Sequence, residues 1–123
     1  MRRDGFVGHL KAKSFFNNVD LGKDYDSERI EFTVDQFLAY APVGNNVVIV
    51  YGVPISEGLN TIRVGTGHNG LMTYLGYHCD GEVRLTVDPT FAHHTATFTV
   101  YYYDGIGRLL KLEGEFDGTY DLL

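Results

Sequence analysis

"VGTGHNGLMTYLGYHCDGEVRLTVD", residues 64–88, decides between two folds. Gly65, Gly67 and Gly70 fall in the order G-x-G-x-x-G behind an apolar run, and Asp88 closes a second apolar run 18 residues after the last of them. That is the layout of a dinucleotide-binding unit. Such a unit needs a helix over 70–79, so that a helix N-terminus meets the pyrophosphate. Leu71, Met72, Leu75 and Cys79 fit helical spacing, but Gly76, Thr73, Tyr74 and Tyr77 stand inside that would-be helix. The competing reading takes Asp80-Gly81 as a type I′ hairpin turn, whose two central residues need positive φ. It pairs Cys79 with Glu82, His78 with Val83, Gly76 with Leu85 and Tyr74 with Val87, and leaves Gly67-His68-Asn69-Gly70 as ordinary turn residues. The rest of the chain favours the hairpin, because it shows no further βαβ unit.

Working outward, scattered glycines and abundant Thr, Val, Tyr and Phe predict an all-β chain, or a mainly β chain with one short helix. Strands are expected near 5–16, 29–34, 46–53, 60–66, 71–79, 82–88, 91–103 and 109–117, with a short further strand at the C-terminus. The candidate helix is "TVDQFLAYAP", residues 33–42, capped by Thr33 or Asp35 and ended by Pro42. The charged stretch "NNVDLGKDYDSE", residues 17–28, reads as a mobile loop. About eight strands without evident edge protection imply one antiparallel barrel or strongly coiled sheet spanning 1–123, just wide enough to hold side chains or one small ligand. "VVIVY", residues 47–51, is apolar on both faces and needs cover from the helix, a loop or a second subunit, so a homo-oligomer is expected.

Register in the last third is a matter of parity. A three-residue loop Gly105-Ile106-Gly107, with Gly107 left-handed, pairs Val100 with Leu112, Tyr102 with Leu110 and Phe98 with Gly114, which keeps every apolar side chain on one face. Thr95, Thr97 and Thr99 then oppose Asp117, Glu115 and Glu113 on a solvated face. The stretch "ATFTVYYYDGIGRLLKLEGEF", residues 96–116, resembles the hairpin of the allene oxide cyclase type of barrel, with its Ala-Thr-aromatic run, glycine turn and Gly-x-aromatic strand end. The resemblance implies a small oligomer with an apolar cavity that binds or cyclises hydrophobic substrates. It carries no catalytic residue onto this chain.

Composition narrows the function classes. The chain has 10 Lys and Arg against 16 Asp and Glu, a net charge of −6, which disfavours nucleic acid as a partner. Acidic balance with nine tyrosines suits a neutral or cationic small ligand. A single cysteine, Cys79, excludes an internal disulfide and a thiolate zinc cluster. No apolar run approaches the ~20 residues of a membrane helix, and no signal sequence is apparent, so the expected compartment is the cytoplasm.

Candidate site residues follow from the predicted inner faces. His94 continues the inward series Ala96, Phe98 and Val100, and His78 joins the apolar face of the Asp80-Gly81 hairpin. His93 points the other way, so adjacent histidines cannot chelate one metal, and no metal site or cofactor is expected. Cys79 and His78 diverge for the same reason and make a poor nucleophile and base pair. Tyr74 and Tyr102 add aromatic walls with one hydroxyl each. Together His78, His94, Tyr74, Tyr102, Phe98 and Met72 would line an apolar cavity with polar handles for a small apolar or amphipathic molecule. In an isomerase or cyclase version one histidine would transfer the proton and a tyrosine would orient the substrate. The alternative is a packed interaction module that joins subunits through residues 47–51.

Overall fold

The computed structural model describes residues 5–41 and 46–120. Ten strands run in chain order: β1 Phe6–Phe16, β2 Val19–Ser27, β3 Arg29–Phe32, β4 Gln36–Tyr40, β5 Val47–Val50, β6 Gly58–Val64, β7 Leu71–Tyr74, β8 Tyr77–Val87, β9 His93–Tyr103 and β10 Leu109–Tyr120. No helix occurs among the described residues. All the ladders are antiparallel, in the order β2-β1-β10-β9-β8-β7-β5-β4-β3, with β6 paired to β8. The two ends of that order are consecutive in the chain. β2 leaves β1 at Ser27 and β3 meets β4 from Arg29, so one bent stretch belongs to both ends and nearly closes the sheet into a barrel. Ser27 holds the corner, its hydroxyl donating to the Tyr40 carbonyl and accepting the Arg29 N–H at 3.2 Å.

The β9–β10 hairpin has the register that parity demands. Val100 pairs with Leu112, Tyr102 with Leu110 and Phe98 with Gly114, and Gly107 is left-handed at φ 85°. The glycine-rich stretch 65–70 is a loop between β6 and β7. It is closed by Gly65 N–H donating to the Gly70 carbonyl at 3.0 Å and by His68 N–H donating to the Gly65 carbonyl at 3.1 Å. Without a helix over 70–79 there is no nucleotide cradle.

Three expectations fail, each for a local reason. The hairpin turn lies at Leu75-Gly76, both left-handed at φ 52° and 87°, and pairs Tyr74 with Tyr77, Thr73 with His78 and Met72 with Cys79. Asp80-Gly81 is instead the point where one edge of β8 passes from β7 to β6. Asp80 accepts the Thr66 N–H at 2.7 Å, and a Cβ on Gly81 would lie 2.4 Å from the Thr99 carbonyl oxygen, so this Asp-Gly serves anchoring and close approach. Continuing the strand gains the β8–β9 ladder from Asp80–Tyr101 to Val87–His94. As a result His78 is exposed on the outer face.

Residues 33–42 do not form a helix where they are described; Pro42 lies outside the described residues. A one- or two-turn helix is marginal by itself, whereas Gln36–Tyr40 gains ladders on both sides, with β3 and with β5. Phe37 and Ala39 are fully buried while Gln36, Leu38 and Tyr40 are partly exposed, which is period two. Thr33 accepts the Asp35 N–H at 3.1 Å and so serves a turn. The charged stretch 17–28 is largely β2. Asn17 and Asn18 are both left-handed, at φ 50° and 65°, and supply the tight turn from β1. Charge on β2 marks an edge strand.

The core is aromatic. Phe37 stacks on Phe116 at 3.7 Å between centroids, Phe32 lies 4.3 Å from His94, and Gly118 lets β3 approach, since a Cβ there would meet Ile30 Cδ1 at 2.8 Å. Burying each such ring contributes roughly 1.5–3 kcal/mol. On β5, Val47 and Ile49 are fully buried, while Val48 and Val50 lie half-buried on the outer face.

Candidate functional site

Strand parity puts Met72 and Tyr74 on β7 and Phe98 and Tyr102 on β9 inside the barrel, all buried. His94 is also inside and fully buried. Yet His94 and Tyr102 stand eight residues apart on one strand, about 26 Å at ~3.3 Å per residue. They occupy opposite ends of the barrel, and His78 faces neither. The expected single pocket is therefore divided.

At the first end a cleft of about 440 Å³ opens beside β2. Tyr25, Tyr74, Tyr77, Tyr102, Ser14 and Leu110 line it, and Lys23, Asp24, Asp26 and Asp104 reach its rim. The rings touch in sequence, Tyr25 to Tyr74 at 5.8 Å, Tyr74 to Tyr102 at 5.5 Å and Tyr102 to Tyr77 at 5.3 Å between centroids. Ser14 and Tyr102 share a 3.0 Å hydrogen bond, and the Tyr25 hydroxyl lies 3.5 Å from the Ala39 carbonyl it faces. Burial pushes the Tyr74 phenol up to about 12, with the Tyr102 hydroxyl adding to it, and burial likewise raises Tyr25 and Tyr102. All three are neutral at physiological pH. Burial also pushes the Cys79 thiol up to about 12, which makes it a packed thiol and a poor nucleophile.

Asp104 is committed elsewhere. Desolvation is the largest single influence and opposes its ionisation, but the Arg108 N–H at 2.9 Å, the Arg108 guanidinium at 2.8 Å and the Ile106 N–H at 3.0 Å together outweigh it and hold its carboxyl below the usual range.

At the second end His94 itself is fully buried. His94 Nδ1 shares a 3.0 Å hydrogen bond with the buried Tyr51 hydroxyl, while Nε2 has no hydrogen-bond partner among the described residues. Burial lowers the imidazole to about 4; the Phe91 carbonyl and Asp88 pull the other way, and His93 adds to the lowering. Phe32 covers the ring, so His94 is a neutral interior side chain. His93 points outward to Asp117 at 3.0 Å. A larger depression, about 610 Å³, lies across the outer face above Gly114, where Lys11, Lys13, Glu113 and Glu115 form a solvated charge ladder. Among the described residues no group of three or more His, Cys, Asp or Glu could hold a metal.

Sequence reasoning missed Tyr25, Tyr77, Ser14 and Tyr51. Parity along Leu10, Ala12 and Ser14, or along Val47, Ile49 and Tyr51, would have found two of them. Tyr25 was hidden because its strand was read as a loop, and Tyr77 because the turn was placed five residues late. Comparison with protein families, curated proteins and solved structures finds no match to the chain.

Proposed function

We propose that the protein is a small-molecule-binding barrel that takes a largely apolar or amphipathic ligand at its tyrosine-lined end. The observation that carries this reading is the cleft itself. Its volume of about 440 Å³ lies within the ~300–1,000 Å³ of small-molecule sites. Buried phenol rings form its floor and one hydroxyl pair is its polar handle, the usual make-up of such a site. It is also the kind of pocket implied by the resemblance of residues 96–116. Binding rather than turnover is the chemistry supported. No histidine adjoins the cleft, and phenols held protonated are weak general bases at neutral pH.

Native mass spectrometry tests the reading, on protein as purified and after exposure to a panel of apolar and amine compounds. Wild type should retain an adduct that Tyr102→Leu loses, with circular dichroism unchanged. Wild type that takes up nothing overturns the proposal.

A second reading, assembly through an outer face, has its own observation. Leu38, Val48 and Thr73 align across β4, β5 and β7, as do Gln36, Val50 and Leu71, and Leu71 is 53 % exposed. That band, apolar at Leu38, Val48, Val50 and Leu71, is the surface a second subunit would cover.

A further inference from the structure

We infer that the ligand of the tyrosine cleft carries an organic cation, an alkylammonium or quaternary ammonium group seated against the rings of Tyr74, Tyr77 and Tyr102. This inference rests on the binding reading above and names the ligand class.

Ring geometry is the first support. Tyr74 and Tyr102 are inclined by 54°, Tyr77 and Tyr102 by 30°, with centroids 5.5 and 5.3 Å apart. The rings are tilted against one another instead of forming a flat stack. Their centroids are close enough that a cation at the mouth can lie within ~6 Å of two of them, the range over which an aromatic face attracts positive charge. Neutral phenols keep those faces electron-rich. Hydrophobic ligands without charge would gain from the same rings, but not from the rim.

The rim is the second support. Asp24, Asp26 and Asp104 reach it against one base, Lys23. Lys13 and Lys11 stand opposite Asp24 and Asp26 in the β1–β2 ladder and moderate their charge, and Arg108 pairs with Asp104. Among the side chains that line the cleft three carboxylates stand against one lysine, the flanking Lys11, Lys13 and Arg108 offset them, and the chain as a whole carries a net charge of −6. An anionic ligand would find no lysine or arginine on the floor among the described residues, and the Ser14–Tyr102 hydroxyl pair has a single O–H left to donate.

The protein's own cations supply a third point. Arg108 lies over the Phe16 ring at 5.4 Å and Lys111 over the Phe15 ring at 5.3 Å, and neither lines the cleft. This end of the barrel already seats cations on aromatic rings, and these two are engaged elsewhere.

Choline and 3,3-dimethylbutan-1-ol, its neutral isostere with carbon in place of nitrogen, separate the possibilities. Each is titrated into the full chain while the ring resonances of Tyr74, Tyr77 and Tyr102 are followed by NMR. The expected result is that choline shifts these resonances with an affinity about tenfold above the alcohol's. Tyr77→Leu, at the most exposed of the three rings, should bring the two probes to near parity, while Tyr77→Phe keeps the preference. Equal affinity of both probes at these rings overturns the cation and leaves the binding reading standing. If neither probe shifts the cleft resonances, both readings fall together.

Discussion

His94 shows how a residue chosen correctly by parity can still serve a different purpose. It is fully buried, bonded to Tyr51 and held down at about 4 by burial. Because the folded value lies below the unfolded value of about 6.5, the unfolded chain binds the extra proton first. The associated stability is therefore complete above pH 6.5 and drains away as pH falls from 6.5 towards 4, by an amount on the order of 3 kcal/mol. Urea midpoints measured between pH 7 and 4 should fall steeply for the wild type and more gently for His94→Leu. Asp88 and Asp104, whose carboxyls are depressed by their hydrogen bonds, act in a separate window, losing their contribution only below the usual carboxylate range. The inward direction of His94 was legible from alternation in "HHTATFTV". Its distance from Tyr102 was also available, as strand rise, but parity says only which face a side chain takes.

At the scale of elements, turns separate what was legible from what was not. The loop of three residues at Gly105–Gly107 follows from two long alternating strands that tolerate one register. The β7–β8 turn had two competing glycine sites, and local preference favoured Asp80-Gly81. Tertiary pairing overrode it, because β8 must offer one edge to both β7 and β6 and the other to β9. Gly76→Ala discriminates between the two placements. Gly76 has φ +87° and open space around its missing side chain, so alanine there should cost about 1 kcal/mol in urea unfolding through backbone conformation alone. Were Gly76 inside a strand, the same substitution would be neutral or mildly stabilising. Residues 36–40 and 19–27 teach the same lesson in reverse, since part of a capped apolar run and most of a charged run became strands once neighbouring strands offered them hydrogen bonds.

For the molecule as a whole, the nearly closed barrel presents the tyrosine cleft at one end and a largely apolar band on the outer face of β4, β5 and β7. If the band joins subunits, Val48→Lys should lower the mass seen by analytical ultracentrifugation to that of a single chain without unfolding it. If the protein is already a single chain, the mass will not change, and the outer face carries no assembly. Fold class, the β9–β10 register and the inward side chains of the long strands were readable from the chain alone, because the pleat gives side chains a period of two that composition prints directly. Strand order, the turn that β8 uses and the meeting of Tyr25, Tyr74, Tyr77 and Tyr102 were not. They depend on which strands share hydrogen bonds and on where a bend at Ser27 closes the sheet, and those are long-range choices between edges that look alike in the sequence.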